Sequence, residues 1–121
     1  MLCTSYFAKS AKHPGAVSIA RFPPGWFTGR CYPALAPKPE MLRIGNWDKY
    51  RHRYRNEILL FLDPDDLLQE LGVEDAGHDI VLLCFEKDRT LCHRGLVAEW
   101  FLETKGITVP ELGCSSVQRT L

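Results

Sequence analysis

The densest run of chemistry-bearing side chains is Leu82-Leu83-Cys84-Phe85-Glu86-Lys87-Asp88-Arg89-Thr90-Leu91-Cys92-His93-Arg94. Cys84 and Glu86 are two residues apart, so they share one face of a strand that reaches that far. Cys92, His93 and Arg94 open the helix that follows. At a helix start the free backbone N–H groups and the dipole favour anions and lower a thiol's pKa. Three chemistries fit this pattern. In the first, Arg21 and Arg94, together with the helix N–H groups, hold a phosphate or carboxylate, and Glu86 or His93 moves a proton. In the second, Cys92 (or Cys84) is a thiolate nucleophile activated beside His93, although no third, orienting group is visible. In the third, Cys84, Cys92 and His93 ligate zinc. Adjacent Cys and His residues on a helix point to different sides and no fourth ligand is evident, so neither a metal nor a cofactor is expected. A plainer reading competes with all three. His93 precedes Leu96, Val97 and Trp100 by three, four and seven residues. It therefore fits a buried, hydrogen-bonded histidine on a packing face, beside a buried cysteine and a capping arginine.

Several familiar sites are excluded. The chain has no G-x-G-x-x-G, no Walker loop and no H-E-x-x-H. Cys84 and Arg89 stand one residue closer than the Cys and Arg of Cys-based phosphatase loops. The FEKD between them lacks glycine, and its acids oppose an anion cradle.

The elements that must position these residues are legible in outline. LCTSYF (residues 2–7) reads as a first strand, and AVSIA (Ala16–Ala20), ending at Arg21, as a second. Five of the eight prolines fall between 23 and 39, which predicts a long irregular connection. Such loops are often functional, and Trp26 and Phe27 lie in this one. Asn46 caps a predicted helix in which Trp47, Tyr50, Tyr54, Ile58 and Phe61 recur at three- to four-residue spacing. Its other positions carry Lys49, Arg51, His52, Arg53 and Arg55. This basic stretch, 48–55, could contact nucleic acid or simply be a solvated face. Asp63-Pro64-Asp65-Asp66 starts a second helix, stopped by Gly72. Ile80–Phe85 reads as a strand buried on both faces, as in a parallel sheet. Cys92–Lys105 reads as a helix ended by Gly106, and Ile107–Val109 as a short last strand. Together these predict a small single-domain α/β fold over residues 1–112, a layered sheet of mostly parallel strands with flanking helices. Residues 113–121 read as a loosely held tail. In such sheets ligands bind beyond the carboxyl ends of the strands, which places Arg21 and Glu86 at one edge.

Bulk properties narrow the setting. The 121 residues, 45% hydrophobic, suffice for one packed domain. No apolar run approaches the roughly 20 residues that span a bilayer, and the N-terminus lacks a signal-peptide core, so no membrane partner and a cytoplasmic location are expected. Five irregularly spaced cysteines then read as free thiols. The net charge is zero, yet residues 1–60 hold 10 Lys and Arg against 3 Asp and Glu, and residues 61–121 hold 5 against 12. Either an anion-binding face or mutual neutralisation across the fold accounts for that asymmetry.

The stretch LLCFEKDRTLCHRGLVAEWF closely resembles the signature of the bacterial and viral domain of unknown function 488 family: a strand ending in Cys-x-Glu and a helix opening with Cys-His-Arg. Here these positions are Cys84, Glu86, Cys92, His93 and Arg94. TSYFAK is similar to the family's first strand, SIAR to its second, ending in Arg21, and WDKYRHRYRNEIL to its aromatic-basic helix, which includes Tyr54. The resemblance spans roughly residues 4–106. It implies a compact α/β fold and adds Tyr54 to the ligand-binding candidates, without implying a particular reaction. The expected function is thus an enzyme or enzyme-like domain acting on a phosphate-bearing ligand, a nucleotide or nucleic acid. Catalytic candidates are Glu86, His93 and Cys92; ligand-binding candidates are Arg21, Arg94, Cys84 and Tyr54. The alternative is a non-catalytic binding or regulatory module using the same pocket or the basic helix.

Overall fold

A computed structural model describes residues 1–113, so Cys114 and the rest of the expected tail lie outside the described residues. Strands β1 (Leu2–Tyr6), β2 (Ala16–Ser18), β3 (Arg30–Cys31) and β4 (Ile80–Cys84) form one sheet in the order β1-β4-β2-β3. Every neighbouring pair is parallel. β4 is central because its apolar run suits burial on both sides. Ile80 and Leu82 join the larger core cluster, with Tyr54, Leu96 and Phe101. Val81 and Leu83 join a smaller one on the opposite face, with Cys3 and Phe7. The alternation follows from the two-residue period of a strand. All five residues of β4 are buried.

The short α1 (Phe7–Ser10) follows β1 directly, and Phe7 belongs to the smaller core cluster. Helices α2 (Trp47–Glu57), α3 (Pro64–Leu71) and α4 (His93–Lys105) contribute Tyr54, Leu67 and Phe101 to the larger one. Asn46 caps α2 by accepting a bond from the Lys49 amide. Asp63 Oδ1 accepts from the Asp65 and Asp66 amides at 2.8 and 3.2 Å, as the Asp-Pro-Asp-Asp sequence requires. Gly72 and Gly106 end α3 and α4 with φ of 74° and 66°, the left-handed region open to glycine at little cost. Asp63→Ala is expected to lower stability by about 0.5–2 kcal/mol, read by chemical denaturation. An unchanged unfolding midpoint would show the cap to be dispensable.

Several element assignments change, among them the end of α2 at Glu57, which leaves Phe61 in a 3₁₀ turn and exposed. The proline-rich connection contains the edge strand β3, which pairs with β2 through Val17↔Arg30 and Ser18↔Cys31, besides 3₁₀ turns at Pro33–Leu35 and Pro39–Arg43. A two-residue strand carries no periodicity to read. Ile107–Val109 is not a strand: the chain instead runs beside β1, with Thr4 N donating to Pro110 O and Leu112 N to Thr4 O. Helix α4 begins at His93, and Cys92 is its N-cap in an extended conformation. That one-residue shift alters where the Cys92 side chain points, with consequences at the site.

Part of the charge asymmetry is neutralised between helices. Arg51 pairs with Glu99 at 3.0 Å, and Arg55 pairs with Glu99 and Glu103 of α4. Arg53 pairs with Glu57, which also holds Lys38. These bonds hold the Glu57 carboxyl down at about 2 despite some opposing desolvation.

Candidate functional site

Because β2 and β4 are parallel neighbours, the segments after them emerge at one sheet edge. There a cavity of about 500 Å³ opens. One wall holds Cys84, Phe85 and Glu86, which end and follow β4; another holds Cys92 and His93 from the start of α4. Ala20, Arg21 and Phe22 follow β2, and the far end of the proline-rich connection contributes Pro37, Met41 and Ile44. Trp47 and Tyr50 enter from α2 with rings stacked at 5.4 Å and 17°. The volume lies within the range of small-molecule sites, and the lining has their usual form, apolar and aromatic with a few polar groups.

Of the seven sequence-predicted residues, five meet here: Arg21, Cys84, Glu86, Cys92 and His93. Arg21 is half-buried; its Nε donates to Pro37 O at 2.8 Å and one terminal nitrogen to Ala36 O at 3.4 Å. These bonds fix the side chain against the cavity wall at Pro37. Glu86 is exposed at the rim.

His93 is buried, and its Nε2 lies 2.8 Å from Ile19 O. A carbonyl only accepts, so Nε2 carries the proton and Nδ1 presents its lone pair, 3.9 Å from Cys92 Sγ. Burial lowers the His93 pKa to about 4, with a smaller contribution from Arg94, against the Ile19 bond. The ring is therefore neutral at pH 7 and has no labile proton facing the cavity.

The Cys84 and Cys92 sulfurs are in bonding contact, a departure from the expectation that all thiols are free, although their Cα atoms stand 7.4 Å apart, beyond the usual span of a disulfide. Cys3 and Cys31 are free. Eight residues of sequence separation gave no framework spacing. The contact arises because a strand end and a helix N-cap converge in space. The same convergence removes one of the two grounds against a Cys-Cys-His ligand set, the divergence of adjacent helical side chains. An extended N-cap does not obey the helical wheel, and one ligand atom from each of Cys84, Cys92 and His93 lies within 4.8 Å of the others.

Arg94 and Tyr54 do not line the cavity, and their ligand-binding roles are corrected. Arg94 is 0% exposed and all its donors are occupied. Nε and one terminal nitrogen grip the Glu111 carboxylate at 3.1 and 2.8 Å, and that same terminal nitrogen also donates to Lys87 O. The other terminal nitrogen donates to Glu86 O at 2.5 Å and Cys84 Sγ at 3.3 Å. The expected Arg21–Arg94 clamp is therefore absent: Arg94 holds the 86–88 turn, and among the described residues Arg21 is the one arginine that lines the cavity. Tyr54 is also fully buried; its hydroxyl donates to Leu35 O at 2.7 Å and its ring packs on His93 at 5.4 Å. Sequence reasoning missed Glu111, whose separation of 17 residues from Arg94 left no local signal. It read Trp47 and Tyr50 as a core stripe, although both lie at the boundary of core and cavity.

A family model described as the active DUF488-N3 subclade matches residues 9–105. The chain belongs to the DUF488-N3a family. The match contains the Cys84-x-Glu86 and Cys92-His93-Arg94 positions of this DUF488-N3a protein as well as Arg21. No curated protein and no solved structure matched the chain. Among the described residues of this DUF488-N3a domain, no helix is long and apolar enough to cross a membrane.

Proposed function

We propose that the cavity at the carboxyl edge of the sheet binds a small phosphate-bearing ligand of nucleotide type, and that the protein acts on it as an enzyme. The observation that carries this reading is the meeting of Arg21, Glu86 and the stacked Trp47–Tyr50 pair around one cavity of about 500 Å³. Flat aromatic walls suit a planar base, and a guanidinium on the wall suits a phosphate. Glu86 is the acid–base group, because the proton of His93 is tied to Ile19 and its ring is neutral. A nucleophilic Cys92 belongs only to the reduced protein, since its sulfur is otherwise bonded to Cys84. The description of the matching family as active is in keeping with an enzyme. A cytoplasmic setting belongs to the same reading, and there the thiol pool would keep Cys84 and Cys92 reduced.

A non-catalytic module using the same cavity is the alternative. The basic helix is the weaker interface, because Arg51, Arg53 and Arg55 already face glutamates. Titration calorimetry with nucleoside mono-, di- and triphosphates, followed by chromatographic analysis for turnover, separates the readings. Saturable binding with conversion supports the enzyme; binding without conversion supports the module. Arg21→Ala is expected to weaken binding about ten- to a hundredfold, the value of one charge-assisted contact. Lys at that position restores part of the affinity, lacking the planar fork. Wild-type affinity in Arg21→Ala would remove the phosphate contact from the proposal.

A further inference from the structure

We propose that Cys84, Cys92 and His93, once the disulfide is reduced, bind one zinc-class divalent cation at the floor of the cavity, with the fourth coordination position open to it. This goes beyond the nucleotide reading and does not depend on it. Tetrahedral zinc, with sulfur at about 2.3 Å and imidazole nitrogen at about 2.0–2.1 Å, sets its ligand atoms roughly 3.6–3.8 Å apart. Cys92 Sγ and His93 Nδ1 already stand at 3.9 Å. The Cα atoms of Cys84 and Cys92 are 7.4 Å apart. Disulfides usually hold theirs at about 4.4–6.8 Å, so this backbone has room for two sulfurs that face an ion instead of each other.

The surroundings also fit. Metal-bound histidines commonly donate their second ring N–H to a carbonyl or carboxylate, which fixes the ring and points the lone pair at the ion. His93 makes that bond to Ile19 O. Arg94 donates to Cys84 Sγ at 3.3 Å, and a guanidinium beside a sulfur favours its thiolate. Two thiolates and an imidazole are the soft and borderline donors that select zinc over magnesium or calcium. All three ligands line the cavity, and among the described residues no fourth ligand closes the set. Sets of three ligands with an open position are those of catalytic zinc sites, where water or substrate takes the fourth place.

The chemistry balances in two steps. A dithiol reductant transfers two electrons and two protons to the Cys84–Cys92 disulfide and becomes a disulfide itself. The cation then displaces both thiol protons, which pass to solvent, as the two sulfur–metal bonds and one nitrogen–metal bond form.

The test uses the full chain, reduced and freed of reductant under anaerobic conditions. Titration with zinc or cobalt is expected to saturate at one ion per chain, with cobalt giving thiolate-to-metal charge-transfer absorption. Bound zinc should protect Cys84 and Cys92 from alkylation, mapped by peptide mass spectrometry, while Cys31 labels throughout. Cys84→Ser, Cys92→Ser and His93→Ala should each lower metal affinity by about a hundredfold or more, whereas Cys31→Ser leaves it unchanged. The alkylation result needs only the natural chain, so it stands even where His93→Ala fails to fold. Absence of one-to-one binding, or alkylation of Cys84 and Cys92 that zinc does not slow, overturns the proposal. A nucleotide titration run with and without zinc separates the two readings. Metal binding with no nucleotide binding overturns only the nucleotide reading; nucleotide binding with no metal binding overturns only this one.

Discussion

Arg94→Ala is expected to destabilise the protein by about 3–5 kcal/mol, the usual effect of removing one partner from a buried ion pair. Its guanidinium is fully buried and joins three parts of the chain: the Glu111 carboxylate, the Glu86 and Lys87 carbonyls, and Cys84 Sγ. Truncation leaves the half-buried Glu111 without its main partner and frees the turn that presents Glu86. Urea denaturation measures the loss. A variant that keeps its stability but loses only ligand affinity would return Arg94 to the anion-clamp role.

The pH dependence has a definite sign. Burial would raise the Glu111 carboxyl, but the hydrogen bonds from Arg94 and Thr4, with the charges of Arg94 and Arg89, outweigh it and leave the pKa below its ordinary 4.5. A carboxylate depressed on folding contributes stability that is fully present above its unfolded value and is lost as pH falls through the folded one. Stability should therefore decline below about pH 4.5, and Glu111→Gln should flatten that part of the profile.

Tyr54→Ala is expected to cost about 3–5 kcal/mol, as for other large aromatic side chains removed from a core. Tyr54 packs on His93 from one side and ties α2 to the 3₁₀ turn at Pro33–Leu35 through its hydroxyl. Tyr54→Phe isolates the second contribution. It leaves the Leu35 carbonyl without its donor and should cost about 1–3 kcal/mol. Both effects appear in unfolding free energy without ligand. A Tyr54→Phe protein of unchanged stability but altered nucleotide affinity would mean that the hydroxyl faces ligand after all.

The sequence by itself determined the parallel α/β architecture, the two capped helices and the sheet edge at which to look. Those features rest on local physics. A five-residue apolar strand must be covered on both faces, Asn46 and Asp63 satisfy amides three and two to three residues on, and parallel strands open their following segments to one side. Tertiary structure decided which residues share the cavity. Arg94 and Arg21 are equivalent in sequence, each placed just beyond a strand or at a helix start. Arg94 turns inward to Glu111, which the chain after α4 brings alongside β1 and which neutralises it there. Cys92 reaches Cys84 and His93 because one residue of extended backbone at the N-cap takes it off the helical wheel. The basic face of α2 meets the acids of α4 across a helix contact that no window of local sequence contains. Charge and donor atoms are written in the sequence, but their partners are set by long-range packing, and the partner decides whether an arginine binds a ligand or holds a turn.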